Sequence, residues 1–344
     1  MLFALGLILA TGGPLGLRTQ GPLRELFLDM TAADARPIDR PDFEVRYSIA
    51  NTWNEPMTVQ RGPAQATQWL DEQADSLSLR ARAPWPWPWL PRAWTAVEWR
   101  LTEHWGGWSD RPIEGWHSLV GAFNYQRASF PRNQVQLLYA DSGGRAFNIT
   151  SPTLAPGDLT ARTQMALFEG PVALAARLDL KAPIGSLGAA GGSGGFDAGI
   201  GLMATWPALE WLTVHGMAAV SRFSHLAAPT ELQPKEWHYS VEMSVELELL
   251  GNTFLVEDRW LSPLLEKGWH WVDTGGTDDA LLASGLYAGF RPHNQISFGF
   301  RRGPFSMWLS EDFTPGHNSR SVLQWAYVSN APDVVLGFGF THKM

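Results

Sequence analysis

From Glu236 to Leu249 the sequence alternates without exception between polar and apolar residues. Odd positions hold Trp237, Tyr239, Val241, Met243, Val245, Leu247 and Leu249; even positions hold Glu236, His238, Ser240, Glu242, Ser244, Glu246 and Glu248. A period of two means extended chain with its two faces in different environments. A helix would scatter these glutamates around its circumference. The run outlasts the usual soluble strand of about 5–6 residues. It suits a transmembrane strand, which needs roughly 9–11 tilted residues with apolar side chains outward and polar ones inward. Trp237 and Tyr239 stand at one end, where interfacial aromatics belong.

The same design recurs along the chain. Phe43, Val45, Tyr47 and Ile49 oppose Glu44, Arg46 and Ser48; Val97, Trp99 and Leu101 oppose Glu98, Arg100, Thr102 and His104. Leu174, Leu178 and Leu180 oppose Arg177, Asp179 and Lys181. Further strands are expected at 76–82, 133–140, 145–150, 159–168, 198–206, 211–221, 253–261, 280–290, 295–301, 305–312, 321–329 and 334–341. Residues 54–73 read as a loop, and Gly185–Gly195 as a flexible one. In hydrocarbon every backbone polar group must pair internally, and a sheet achieves this only by closing. The expected fold is therefore all-β: a closed antiparallel up-and-down transmembrane β-barrel of about 14 strands, within roughly 12–16, since bacterial barrels hold an even number.

A β-sandwich also alternates, but the strand lengths oppose it. So do the 18 tryptophans, many near strand ends (Trp53, Trp94, Trp105, Trp206, Trp211, Trp237). Leu336, Phe338 and Phe340 lie in phase near the C-terminus, like the signal read by outer-membrane assembly machinery. Beyond the N-terminus no run of about 18 apolar residues exists to make a spanning helix. The absence of cysteine excludes disulfides and thiolate metal sites, and a net charge of −8 without a basic cluster argues against nucleic acid. No cofactor or metal site is expected.

Residues 1–20 have the apolar core and small-residue exit of a signal peptide, without its positive start. Residues 17–41 are polar and proline-punctuated, suiting a periplasmic N-terminal lead or a plug; the lead is bounded at 21–41, and 42–344 form the barrel. Pro84–Pro91 is an aromatic turn, because proline donates nothing to a ladder. After Gly106-Gly107, Ile113, Trp116 and Val120 fall at helical spacing behind Asp110 and Pro112, which predicts a short loop helix. Asp110, Glu114 and His117 could converge there as a catalytic or metal group, though three such residues in one helix turn more often form a solvated face.

Several segments together resemble an uncharacterised family of Gram-negative outer-membrane proteins, the domain of unknown function 3187. They are Gly21-Pro-Leu23 with Leu26-Phe27, Ser48–Trp53, Gly106-Gly107 with Ile113-Glu114 and Trp116-His117, Gly157-Asp158, Leu180–Gly185 and Ser310–Phe313. The resemblance implies an integral outer-membrane β-barrel and no catalytic residues.

Expected lumen residues are Glu98, Arg100, His104, Arg162, Arg177, Asp179, Lys181, Glu242, Glu246 and Glu248. Their signs are mixed, whereas a strongly ion-selective pore carries rings of one sign. Passage or binding of a small molecule is the first functional expectation. A structural or adhesive envelope protein, using loops 54–73, 222–235 and 263–279, is the second. A membrane-embedded lipid hydrolase is the third, with Ser240 and His238 sharing a strand face but lacking any supporting motif. Outer-membrane lipid and the assembly machinery are the expected partners. The short connections near 169–171, 207–209, 251–252 and 330–332 are expected on the periplasmic side.

Overall fold

A strand that crosses hydrocarbon leaves its neighbour no water to pair with, so the sheet must return to its own first strand. The computed structural model describes residues 12–61, 64–86, 92–120, 127–230, 233–234, 236–263, 272–273, 293–313 and 334–344. The chain opens with β1 (Asp42–Arg61), β2 (Ala64–Pro84) and β3 (Ala93–Trp105), then helix α1 (Asp110–Val120). Three short strands follow, β4 (Gln136–Asp141), β5 (Gly144–Ile149) and β6 (Thr153–Pro156). Next come β7 (Leu159–Glu169), β8 (Ala173–Ala182), β9 (Asp197–Leu209), β10 (Leu212–Arg222) and β11 (Gln233–Pro234). The chain ends with β12 (Trp237–Leu249), β13 (Asn252–Pro263), β14 (Val272–Asp273), β15 (His293–Arg302), β16 (Phe305–Phe313) and β17 (Val334–Lys343).

Twelve of these close an antiparallel ring in the order β1-β2-β3-β7-β8-β9-β10-β12-β13-β15-β16-β17, with Phe43 of β1 opposite His342 of β17. Twelve is the lower end of the expected range. The segments 280–290 and 321–329 lie outside the described residues, and the ring closes without them, since β13 pairs directly with β15 and β16 with β17. The two expected strands near 133–140 and 145–150 form as β4 and β5 but stay outside the ring. At six residues each they are too short to cross. They pair with each other, and β4 also pairs with Ala66–Asp71 of β2.

Residues 54–73 are not a loop. β1 runs on to Arg61 and β2 begins at Ala64, so this hairpin rises beyond the point where β3 ends opposite Gln73. The ladder continues here although the two-faced pattern does not, and Leu70 joins the core with Leu137 and Tyr139 of β4. At the other end the turns are tight: Leu250 and Gly251 both have positive φ, at 53° and 74°, as a two-residue hairpin turn of the primed type requires. Tight connections follow β7, β9, β12 and β15, which places them at one end, periplasmic by the usual arrangement of such barrels. The 330–332 connection expected among them lies outside the described residues.

Alternation sorts the side chains as the sequence requires. On β12, Val241 and Met243 are 48% and 55% exposed toward lipid, while Glu242 and Ser244 are 3% and 0% exposed. The main core lies inside the barrel. Leu23, Leu26, Phe27, Leu28 and Met30 pack there on Met203, Met217 and Phe223 of the wall region and on Leu137, Tyr139, Phe147 and Ile149 of β4 and β5.

Candidate functional site: a lumen occupied by the N-terminal hairpin

Residues 12–36 carry no strand period, and in the structure they join no strand of the sheet. They enter the barrel at the short-turn end, where Gly13 meets Glu246 and Arg301. They turn near Gly21–Glu25, with a 3-10 turn at Arg24–Leu26, and run back to Ala35 beside Thr205 of β9. The two arms are tied by the Thr19 amide donating to Asp29 Oδ2 at 2.8 Å. This hairpin includes the end of the expected leader and most of the expected periplasmic lead.

An extended segment that forms no ladder must satisfy its peptide groups some other way. The inward side chains of the wall do this, and both signs are used. Carboxylates accept backbone N–H groups: Glu246 from Gly13 and Glu242 from Ala32, both at 2.8 Å, Asp197 from Leu28 at 2.8 Å, and Glu257 from Leu15. Cations donate to backbone carbonyls: Arg177 to Thr31 at 2.6 Å, Arg301 to Gly13 at 2.9 Å, Lys181 to Leu26 at 3.0 Å and Arg100 to Glu25 at 3.2 Å. Charge-assisted bonds of this kind are roughly twice as strong as neutral ones.

The wall charges also pair with one another and with the hairpin's side chains. Arg162 lies 2.8 Å from Glu98 and 3.3 Å from Asp179; Arg177 lies 2.6 Å from Asp179. Arg100 meets Glu25 at 2.9 Å, Arg259 meets Asp29 at 2.9 Å, and His104 meets Glu72 at 2.6 Å. Removing one member of such a buried pair leaves an uncompensated charge, which costs more than the pair itself contributes. A polar cavity of about 40 Å³ remains beside the hairpin, lined by Arg18, Glu44, Arg46, Arg80, Glu98 and Arg100. That is room for a few waters at most.

Two of the motifs singled out in the sequence meet here. Asp158, from Gly157-Asp158, contacts Lys181 Nζ at 2.6 Å and accepts the Gly185 amide at 2.8 Å, both from Leu180–Gly185. Lys181 also donates to Ser193 Oγ at 2.7 Å, and the Ser193 amide donates to the Leu26 carbonyl at 3.1 Å. The glycine-rich stretch Gly185–Gly195 is therefore folded onto the hairpin tip, although Gly188 stays exposed.

Nine of the ten expected lumen residues are buried on the inner face. Glu248, at the short-turn rim of β12, shares the inward phase of Glu242 and Glu246 but is exposed. The hairpin's own Arg18, Glu25 and Asp29, and the wall's Glu257, Arg259 and Arg301, are not among the residues expected in the lumen, and Glu44 is marked only as the polar face of its strand. Strand phase alone would have found Glu257 and Arg259. Asp110 and Glu114 are engaged elsewhere, and the His117 side chain lies outside what the structure describes: Asp110 binds Asn51, Arg127 and the Asn133 amide, while Glu114 binds Arg132. Among the described residues no group of three metal-ligating side chains occurs. His238 and Ser240 both face inward and are buried, with the His238 ring stacked on Phe223 at 4.0 Å.

Comparison with known proteins places this geometry. The fold is similar to that of the COG4313 outer membrane channel from Pseudomonas putida F1, with a TM-score of 0.51 at 12% identity over 90% of this chain and 98% of that one. Weaker likenesses are to Salmonella typhi OmpF in complex with daunomycin and to CdiB from Acinetobacter baumannii. For OmpF the TM-score is 0.33 at 8% identity, covering 88% of this chain and 97% of that one. For CdiB it is 0.35 at 9% identity, covering 94% and 67%. No curated protein matches by sequence. The model of a protein family of unknown function, DUF3187, matches residues 9–272. The chain is an integral outer-membrane β-barrel and belongs to the DUF3187 family.

Proposed function

We propose that the barrel passes a small polar solute across the outer membrane through its mixed-charge lumen, and that residues 12–36 are its gate. One observation carries the reading. The hairpin fills the lumen but pairs with no strand, so it can leave without opening the wall. Its departure would uncover Glu242, Glu246, Arg177, Lys181 and Arg100 along a continuous polar surface. The fold shared with a protein described as a channel supports the reading by analogy.

The test is conductance in a planar bilayer. The wild-type barrel is expected to conduct weakly, and Glu25→Gln with Asp29→Asn, which removes two charges that anchor the hairpin, is expected to raise open time several-fold. Amide exchange at residues 26–35 shows independently whether the hairpin has left. A variant with the hairpin released and no conductance contradicts passage. It would favour the structural envelope reading, which the filled lumen also suits.

A further inference from the structure

The wall reads the return arm of the hairpin through its backbone. Along residues 26–35, six inward side chains alternate between donor and acceptor. Lys181 donates to the Leu26 carbonyl at 3.0 Å, and Asp197 accepts the Leu28 amide at 2.8 Å. Arg177 donates to the Thr31 carbonyl at 2.6 Å, and Glu242 accepts the Ala32 amide at 2.8 Å. Gln164 donates to the Asp34 carbonyl at 2.6 Å, and Thr205 accepts the Ala35 amide at 2.9 Å. Two of the amides belong to alanines, whose side chains offer no polar handle.

A repeated donor and acceptor on separate atoms, spaced along an extended chain, is the chemistry of a peptide. A lumen built for anions would carry cations alone, and one built for sugars would have little need of paired carboxylates and cations set along a line. We infer that the solute class of this lumen is the extended peptide, and that residues 12–36 occupy its site in cis. The inference rests on the passage reading for its biological sense, but binding is measured apart from conduction. It differs from strand addition, the familiar way of holding an extended peptide, because side chains rather than a sheet edge supply the hydrogen bonds. The backbone contacts do not depend on sequence, while the packing of Leu26, Phe27, Leu28 and Met30 sets a preference for apolar residues at those positions.

The experiment uses the full chain with a protease site inserted after Asp39, in the exposed segment between hairpin and barrel, where Asp39 is 73% exposed in its side chain. After cleavage in detergent, a fluorescent copy of residues 12–36 is added and its exchange followed by anisotropy. Competitors are an unrelated extended peptide of equal length, the 12–36 peptide N-methylated at Leu28 and Ala32, and a linear oligosaccharide of similar length. The unrelated peptide, chosen to keep apolar residues at the positions of Leu26, Phe27, Leu28 and Met30, is expected to compete within about tenfold of the 12–36 peptide. The methylated one should be at least tenfold weaker, and the sugar inactive. Equal competition by the methylated peptide or the sugar overturns the inference. So does a cleaved hairpin that never exchanges, because a ligand site must release its occupant. In the intact chain, Arg177→Gln with Glu242→Gln should speed amide exchange at residues 26–35 at least tenfold, and Thr31→Ala with Asp34→Ala less than threefold; the reverse order also overturns it. Peptide binding without conductance would sink passage and leave the peptide class standing. Conductance without peptide binding would do the opposite.

Discussion

Glu242 and Val245 stand three residues apart on one strand and face opposite media. Glu242 holds the Ala32 amide inside the barrel, while Val245 shares the lipid-facing phase of Val241 and Met243. Glu242→Gln keeps an acceptor oxygen and is expected to assemble normally. Val245→Glu sets a carboxylate against hydrocarbon at a cost of up to about 2–4 kcal/mol, and its folded yield in lipid vesicles should fall well below that of the Gln variant. Equal yields would mean the faces are assigned the wrong way round. A different residue governs the cap. Above the wall, where β2 pairs with β4 rather than β3, burial pushes the Asp71 carboxyl from 3.8 up to about 7. Asp110 and Glu72 add to the rise, while Gln134 and Arg127 oppose it. The folded value lies above the unfolded one, so this contribution is complete below about pH 4 and lost as pH rises through about 7. Between about pH 4 and pH 7, amide exchange of β4 should accelerate by more than base catalysis of exchange alone gives, and Asp71→Asn should remove that excess. An unchanged slope in the variant would remove Asp71 as its cause.

Among the elements, β9 is shaped by what lies against it. Gly199 and Gly201 face inward, and a Cβ on Gly199 would run into Met30 Sδ of the hairpin. Gly199→Val is therefore expected to dislodge the return arm, speeding amide exchange at residues 26–35 at least tenfold while the barrel stays intact. Unchanged exchange would show that the hairpin yields locally instead. The same packing explains how legible the chain was. β12 could be read outright because its inner face is wholly polar. β13 is legible as a strand, but its faces are less clean: its inward Leu255 packs with Leu15, Leu17 and Trp308, and its outward Asp258 binds Asn294, so Glu257 and Arg259 stand out by phase alone. β4 and β5 imitated membrane strands because Leu137, Tyr139, Phe147 and Ile149 alternate, although they face the hairpin rather than lipid. The hairpin itself left no pattern, since its backbone is held by the wall and not by a neighbouring strand.

For the whole molecule, two nested structures follow: a closed wall whose charges face inward, and an N-terminal segment that uses those charges. The wall should show heat-modifiable migration on a gel and β-rich circular dichroism in detergent, and a monodisperse protein without detergent would contradict the barrel. The central claim is that the hairpin lies inside. Because the chain has no cysteine, single substitutions report on it cleanly. In the folded barrel, Ala32→Cys, at a position now 4% exposed, is predicted to react with a water-soluble maleimide at least a hundredfold more slowly than Asp39→Cys, whose native side chain is 73% exposed. Adding Gly199→Val should bring the two rates together. Equal rates in the otherwise native barrel would place residues 12–36 outside the lumen and contradict the account.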